Sequence, residues 1–224
     1  MQVFVGTSGW YYEWNKDKNL NWFVKNSNLN AVELNSSFYR FPFKNVIKSW
    51  SVKGTNLRWS VKVNRLITHK HKFNEKAFEI WKKFEESFRA MDKLIDFYLF
   101  QSPPSFKDCN SVLEFADKIK IGRRFAFEIR NREWLKSEEN FDKLKKKVVI
   151  VSVDSPDFYS KIIEDEIIYL RMHGRENWYS HNYTKEELKE IADRIKEINP
   201  KKVYIFFNNN HNMLLNAQLM KKLL

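Results

Sequence analysis

The sequence predicts an α/β fold, a (β/α)₈ barrel of the TIM type formed by a single domain, residues 1–224. Short apolar runs with strand-like patterns alternate with segments of helical periodicity, and about eight such pairs occur along the chain. A length of 224 residues lies at the short end of the ~200 to 400 residues typical of this barrel. No Pro/Gly/Ser-rich linker and no internal repeat divides the sequence. An open, doubly wound sheet is the alternative arrangement of the same elements.

The first quarter of the chain is predicted to hold two strands, each followed by a helix. Residues 3–6 form a short apolar strand that ends at a glycine, and residues 17–27 carry apolar side chains at helical spacing. Residues 31–36 alternate between apolar and polar side chains, with Glu33 and Asn35 on one face, as is typical of a strand. Pro42 suits the first turn of a helix that continues through residue 50.

The third and fourth strands flank a long helix. Residues 58–64 alternate cleanly between apolar and polar side chains. Asn74 is a suitable N-cap for the helix that follows. The apolar stripe of this helix, which we expect in the core, consists of Ala77, Trp81, Phe84, Phe88 and Met91. Residues 96–101 form the fourth strand, which stops before Pro103 because proline cannot donate a ladder hydrogen bond.

The next two units follow the same pattern. Apolar residues at positions 112, 116 and 119 indicate a helix, and residues 124–130 form the fifth strand with Glu128 and Arg130 on one face. A charged helix over residues 137–147 leads into residues 148–153, the most continuously apolar strand, which ends at Asp154.

The last two units complete the predicted barrel. Residues 166–173 form the seventh strand, with Arg171 and His173 on one face. Thr184 and Glu187 have the spacing of a capping box and begin the next helix. Residues 202–207 form the eighth strand, which leaves through three asparagines into a C-terminal helix.

Composition favours an anionic partner in a reducing compartment. The formal net charge of +12 and the pI of about 9.6 make nucleic acid one class of partner to consider. Most lysines fall in mixed-charge helical segments, which equally fit a solvated surface. No apolar run approaches the ~20 residues that span a bilayer, and the N-terminus does not resemble a signal peptide. Cys109 is the only cysteine, so we expect a cytoplasmic, non-membrane protein.

Polar side chains are expected where the strands end, because TIM barrels build their active sites at the carboxyl ends of the strands. Glu33, Glu128 and Lys62 are predicted to be catalytic, since buried carboxylates beside cations can transfer protons. The predicted substrate-binding residues are Trp10, Asn35, Tyr39, His69, Gln101, Arg130, Asp154, Arg171, His173 and Asn208. The cations in this set favour a ligand that carries a phosphate or a carboxylate.

Three other interpretations of these residues stay open. A metal would take Glu33, Glu128, Asp154 and His173 as ligands. Three nearby cations and a single strong imidazole candidate disfavour this interpretation, so no metal ligand is assigned. A Schiff base on Lys62 would require a lowered pKa of its amine. Alternatively, the charged residues only neutralise one another as a polar filling of the barrel.

The expected function is that of a barrel enzyme or binding protein for a small anionic ligand, with acid–base chemistry or hydrolysis as the reaction classes. A nucleic-acid-binding protein or a metal-dependent nuclease is the alternative. No cofactor is indicated, because residues 6–9 lack the spacing of a dinucleotide fingerprint or a P-loop. The sequence indicates no oligomeric state.

Several blocks, in order along nearly the whole chain, resemble the DUF72 (YecE-like) family. They are residues 6–14, 32–40, 59–63 with 67–69, 100–104, 127–130 with Trp134, 170–174 with Tyr179, and 207–209 with Asn216 and Ala217. The resemblance implies a TIM-like barrel and no established reaction, since the family is one of unknown function. Ser102, Met172 and shorter loops depart from the family pattern, and none of these departures removes a predicted site residue.

Overall fold

The eight strands form a closed parallel barrel. The structure is a computed structural model that describes residues 1–131, 134, 138–157 and 162–224. Neighbouring strands follow one another from β1 to β8, and β8 pairs in parallel with β1. The predicted (β/α)₈ barrel is therefore confirmed, and the open sheet is not formed.

Strands and helices alternate along the chain as predicted. The strands are β1 (Gln2–Thr7), β2 (Ala31–Leu34), β3 (Arg58–Lys62), β4 (Ile95–Gln101), β5 (Phe125–Glu128), β6 (Val149–Asp154), β7 (Ile167–Met172) and β8 (Lys202–Phe207). The helices are α1 (Leu20–Asn26), α2 (Lys44–Lys53), α3 (Glu75–Ser87), α4 (Cys109–Ile119), α5 (Glu138–Lys147), α6 (Lys185–Ile198) and α7 (Met213–Leu223). The predicted start of α5 at residue 137 lies outside the described residues.

Several strands end earlier than predicted. The strand β2 stops at Leu34, because Asn35 has helical backbone angles (φ −92°, ψ −24°) and Ser36–Phe38 form a 3₁₀ helix. The prediction that Asn35 shares a strand face with Glu33 is therefore wrong. Likewise α3 ends at Ser87, and Met91 lies in the separate 3₁₀ helix Arg89–Leu94.

Contacts within the chain define two compact units. Unit 1 consists of Met1–Glu33, Val52–Trp59 and Val151–Leu224, and unit 2 consists of Leu34–Ser51 and Ser60–Ile150. The prediction that residues 1–224 form a single domain stays a prediction.

Unit 1 is built on the pairing of β7, β8 and β1. The helix α6 packs through Leu188, Ile191 and Ile195, which are all buried. Its N-terminus is the predicted capping box: the Thr184 side chain accepts from the Glu187 N–H, and the Glu187 carboxylate accepts from the Thr184 N–H. This double cap fixes where the loop after β7 ends.

Unit 2 has an aromatic core. The predicted apolar stripe of α3 and the turn after it is buried at Ala77, Trp81, Phe84, Phe88 and Met91. Phe73 has a φ of +65° and packs against four other phenylalanines, which are Phe100, Phe106, Phe115 and Phe127. A bulky residue rarely adopts a positive φ, so this packing compensates for a strained backbone.

In the described part of the chain, no helix combines the length and the apolar character that crossing a membrane requires.

Candidate functional site

Four polar side chains lie at one level on neighbouring strands of unit 1. The strand register aligns Met172, Phe207, Thr7 and Val32. The next residues along these four strands are His173, Asn208, Ser8 and Glu33, which we call the polar row. Backbone hydrogen bonds of 2.8 Å extend the ladder into this row, from the Ser8 N–H to the Phe207 carbonyl and from the Asn208 N–H to the Met172 carbonyl.

Glu33 is the most highly bonded member of the polar row. Its Oε1 accepts from Ser8 Oγ (2.7 Å) and Arg171 Nη2 (2.7 Å), and its Oε2 accepts from Tyr169 Oη (2.6 Å) and Arg171 Nε (3.0 Å). Glu33 is 0% exposed and Arg171 is 1% exposed. A carboxylate has about four acceptor positions, so these donors occupy all of them. Glu33 therefore holds the Arg171 guanidinium in one orientation through a bidentate pair.

Two aromatic residues of the loop after β1 contact Ser8 and Trp59. Tyr12 Oη donates to the Ser8 carbonyl (3.3 Å), and burial together with the Glu33 charge raises the pKa of Tyr12. The half-buried Trp10 packs edge-to-face on Trp59, with ring centroids 5.7 Å apart. The phenol of Tyr12 therefore holds its proton more tightly than a free tyrosine, and the indole of Trp10 belongs to the loop that begins at Ser8.

His173 is fully buried beneath the loop after β7. Asn208 Nδ2 lies 3.2 Å from His173 Nδ1, and the rings of Trp178 and Tyr179 lie 5.3 Å from the imidazole. The loop is tied back by a 2.7 Å hydrogen bond from the Tyr179 N–H to the His173 carbonyl. With the Asn208 amide oriented to donate, Nδ1 is the acceptor and a neutral ring carries its proton on Nε2.

The carboxylate of Asp154 binds side chains of the same loop. Its Oδ1 accepts from Tyr183 Oη (2.8 Å), its Oδ2 pairs with Arg175 Nε (3.3 Å), and Tyr183 Oη in turn accepts from the Gly174 N–H (2.8 Å). Burial raises the pKa of the Asp154 carboxyl, although the Tyr183 hydrogen bond and the Arg175 charge act in the opposite direction. Burial and the Asp154 charge also raise the pKa of Tyr183. The bonds to Tyr183 and Arg175 give Asp154 a structural role in this loop. Its predicted role in substrate binding stays a prediction.

Unit 2 contains a second buried ion pair at the end of β5. Glu128 is fully buried, and its Oε1 accepts from Gln101 Nε2 (2.9 Å) and pairs with Arg130 Nε. The Ser102 N–H donates to the Glu128 carbonyl (3.1 Å). The two strand ends β4 and β5 thus bring together three of the predicted residues.

Lys62 and His69 both contact the ring of Phe38 in unit 2. Lys62 Nζ is 4.4 Å from the centroid of Phe38, and the His69 ring is 5.1 Å from it. His69 belongs to the π-helical turn Leu66–Lys70, a conformation that occurs often at functional sites. Burial, Lys62 and Arg65 lower the pKa of His69, which favours its neutral form.

Two further predicted residues lie just after β2. Tyr39 is 68% exposed and its ring contacts Phe38 at 5.1 Å. Asn35 Oδ1 is buried, and no hydrogen-bond partner for it occurs among the described residues. An orphaned buried acceptor of this kind is uncommon in folded proteins.

Within residues 1–131, 134, 138–157 and 162–224, His, Cys, Asp and Glu side chains form no group of three or more that is placed to hold a metal ion. The predicted set Glu33, Glu128, Asp154 and His173 is accordingly not assembled as such a group in this part of the chain.

Residues 4–224 match the family model described as "Protein of unknown function DUF72". The chain belongs to the DUF72 family. A comparison with curated proteins found no match.

Solved structures of DUF72 family proteins share this fold. The protein from Thermotoga maritima MSB8 has a TM-score of 0.80 at 25% identity, and the match covers 99% of this chain and 98% of that one. The protein from Enterococcus faecalis V583 has a TM-score of 0.82 at 19% identity, with 99% and 95% covered. A D-psicose 3-epimerase from Clostridium cellulolyticum H10, solved with D-tagatose, has a TM-score of 0.59 at 10% identity, with 98% and 90% covered. At such identity the similarity concerns the fold alone.

The blocks that resemble DUF72 include both ion pairs, and the sequence did not predict all of their partners. Tyr169 was absent from the predicted site, and Ser8 was a strand-end residue without a predicted catalytic or binding role, yet both donate to Glu33. The signal for Tyr169 is its spacing: it lies two residues before Arg171 on β7, so both side chains project from the same side of the strand.

Proposed function

We propose that this DUF72 protein binds a small anionic molecule, carrying a phosphate or a carboxylate, at the polar row of unit 1. The observation that carries the proposal is the fully buried pair of Glu33 and Arg171, in which every acceptor position of the carboxylate is occupied. Arg171 would be the anchor for the anion, and His173, Asn208 and Trp10 would orient it.

The energetics of the pair favour a functional role over a stabilising one. Removing two charges from water costs several kcal/mol per ion, and a buried pair often stabilises a fold less than apolar residues of the same size. Ser8 and Tyr169 are neutral donors that disperse the charge of Glu33. The guanidinium therefore keeps part of its attraction for a second anion, in an orientation suited to planar recognition.

This geometry changes the proposed role of Glu33. The sequence predicted proton transfer by Glu33, and that remains untested. A carboxylate with four donors around it and a bidentate arginine is better suited to positioning Arg171. Acid–base chemistry or hydrolysis would then need another group, and His173, whose imidazole lies in the polar row, is the proposed one.

We also propose a separate role for the buried ion pair of unit 2. Glu128, bonded to Gln101 and Arg130, keeps its proposed acid–base role, with Lys62 as a cation of the same unit. The cytoplasmic location is likewise part of the proposal, because Cys109 is a free thiol.

Thermal-shift measurements test the proposal. Inorganic phosphate, ribose 5-phosphate, AMP and citrate are compared with ribose and adenosine as uncharged controls, at matched ionic strength. A ligand at about 100 times its Kd stabilises the folded state by about 2.7 kcal/mol, which corresponds to a rise in Tm of roughly 5 to 10 °C. We expect such a rise with at least one anion and none with the uncharged compounds.

Two variants and one control variant locate the binding. The double variant Glu33→Gln/Arg171→Met removes both buried charges together, so it avoids an unpaired buried ion, and it should fold but lose the shift. Asn208→Ala, at a half-buried position, should weaken binding about tenfold, whereas Asn110→Ala on the exposed surface of α4 should not. An anion-induced shift that survives in the double variant would disprove this site.

A further inference from the structure

The segment between β2 and α3 is free of acidic residues. Residues 34–74 contain nine Lys and Arg and no Asp or Glu, whereas the chain as a whole has 28 Asp and Glu in 224 residues, or one in eight. At that frequency about five would occur in this segment. The positive charge is therefore concentrated rather than spread over the sequence.

Within unit 2, this segment forms two loops that contact each other, residues 35–43 after β2 and residues 63–74 after β3. Ser37 Oγ donates to the Lys62 carbonyl (2.7 Å), and Asn64 Nδ2 donates to the Ser37 carbonyl (2.9 Å). The ring of Phe38 contacts His69 across the same junction. These contacts hold together the two loops that carry the basic residues.

Six exposed cations belong to these loops and to residues 44–51, the part of the helix α2 that lies in unit 2. They are Arg40, Lys44, Lys48, Arg65, Lys70 and Lys72, and we call them, together with Tyr39 and Phe43, the basic face. None of the six forms an ion pair with a residue in the part of the chain that the structure describes. Exposed lysines elsewhere do pair, such as Lys143 with Glu139 and Lys201 with Glu166, both at 2.6 Å.

The placement of these cations works against stability. Lys44 occupies the first position of α2, where a positive charge opposes the helix dipole, and the first turn of α2 has no acidic residue. Lys48 lies one turn further along the same helix face, and like charges four residues apart repel each other. The stability of the helix therefore does not explain why cations occupy these positions.

Two large aromatic side chains are exposed beside the cations. Tyr39 is 68% exposed and Phe43 is 74% exposed. Phosphates attract unpaired cations, and unpaired bases stack on exposed rings whatever their sequence. In duplex DNA the bases are already stacked on one another, so rings of this kind favour a single strand.

We propose that the basic face binds single-stranded nucleic acid, with its phosphates on the cations of the two loops and α2 and its bases stacked on Tyr39 and Phe43.

Fluorescence anisotropy with a labelled 20-nucleotide oligothymidylate and the corresponding oligouridylate tests the proposal. If all six cations contact phosphates, log Kobs should fall with log salt at a slope of roughly −4, so affinity should drop several-hundred-fold between ~50 and ~200 mM salt. A 20-base-pair duplex should bind more weakly than the single strand at each salt concentration. Equal or tighter binding of the duplex would overturn the proposal.

Matched variants separate the basic face from net charge. Lys44→Gln/Lys48→Gln/Lys70→Gln should reduce the magnitude of the salt slope by about 2. The control Lys143→Gln/Lys189→Gln/Lys201→Gln removes the same charge from paired positions and should leave the slope nearly unchanged. Equal effects of the two triple variants would show a non-specific attraction and overturn the proposal.

The aromatic contribution is tested in the same assay. Tyr39→Ala/Phe43→Ala should weaken binding at least about tenfold, whereas Tyr39→Phe/Phe43→Tyr keeps both rings and should bind like the wild type. Unchanged affinity in the alanine variant would contradict base stacking.

Other polyanions and the polar row provide the last comparisons. Tighter binding to phosphatidylserine vesicles or to polyglutamate than to the oligonucleotide would assign the face to a membrane or to an acidic protein instead. The variant Glu33→Gln/Arg171→Met should keep oligonucleotide binding, so the two proposals fail or succeed separately.

Discussion

At the residue scale, pairing partners determine what each predicted side chain is suited to do. Glu33 and Arg171 were identifiable from the sequence because a charged residue inside an apolar strand needs a compensating group. The sequence did not show that these two residues pair with each other, because any of several opposite charges at the strand ends could compensate either of them. The structure resolves this with two bonds between residues that lie 138 positions apart in the chain.

His69 leads to a prediction about pH. Burial, Lys62 and Arg65 lower its pKa in the folded state, so the unfolded chain binds more protons as the pH falls through ~6.5. The free energy of unfolding should therefore decrease as the pH falls from ~7 to ~5, and His69→Gln should lack this part of the decrease. Urea unfolding of both proteins at several pH values measures the difference.

The cause of the His69 shift is tested separately. Arg65→Gln removes one of the charges that lower the pKa, so the pH-dependent difference should become smaller. Titration of the His69 ring protons by NMR gives the pKa directly. A folded-state value above that of the unfolded chain would contradict the prediction.

At the element scale, periodicity located the strands and helices but not the residues at which the strands end. The alternating pattern of residues 31–36 continues past Leu34, while the backbone turns into a 3₁₀ helix at Ser36. In the next loop, Asn64 bonds the Ser37 carbonyl and the Leu66 N–H with one side chain. Such side-chain bonds to the backbone compete with the ladder, and apolar spacing does not reveal them.

Gly6 controls how closely β1 and β2 approach, and hence how Ser8 reaches Glu33. A Cβ at Gly6 would lie 2.2 Å from the Ala31 carbonyl oxygen, a backbone atom that a side-chain rotation cannot move away. Gly6→Ala should therefore push the two strands apart and reduce the free energy of unfolding by about 3 kcal/mol. Urea unfolding measures this loss, and a lower Tm should accompany it.

Gly122 is the matched control for this substitution. A Cβ there would meet nothing within 4 Å, but its φ of +56° disfavours alanine by about 1 kcal/mol. Gly6→Ala should also weaken any anion-induced thermal shift, and Gly122→Ala should not. Equal destabilisation by the two substitutions would contradict a steric role of Gly6.

At the scale of the whole molecule, alternation and length were sufficient to predict the barrel. Parallel strands joined by helices can close once about eight units are present, and β8 does pair with β1 along its full length, from Gln2 with Lys202 to Thr7 with Phe207. No comparable rule predicts the loops from the sequence, because their partners are set by tertiary contacts. The bonds that Asn216 of α7 makes to Asn209 and Tyr183 are one example.

The uneven distribution of charge leads to a prediction about stability. The chain carries a net charge of +12, and the unpaired cations of the basic face repel one another within the acid-free segment. Lys44→Gln/Lys48→Gln/Lys70→Gln should therefore raise the Tm by about 1 to 3 °C at ~20 mM salt, because each relieved repulsion contributes a few tenths of a kcal/mol. Added salt screens the same repulsion, so the gain in Tm should shrink at ~0.5 M salt.

The control Lys143→Gln/Lys189→Gln/Lys201→Gln removes favourable pairs and should lower the Tm or leave it unchanged. Differential scanning calorimetry at both salt concentrations distinguishes local repulsion from a general effect of net charge, since a general effect would raise the Tm of both triple variants equally.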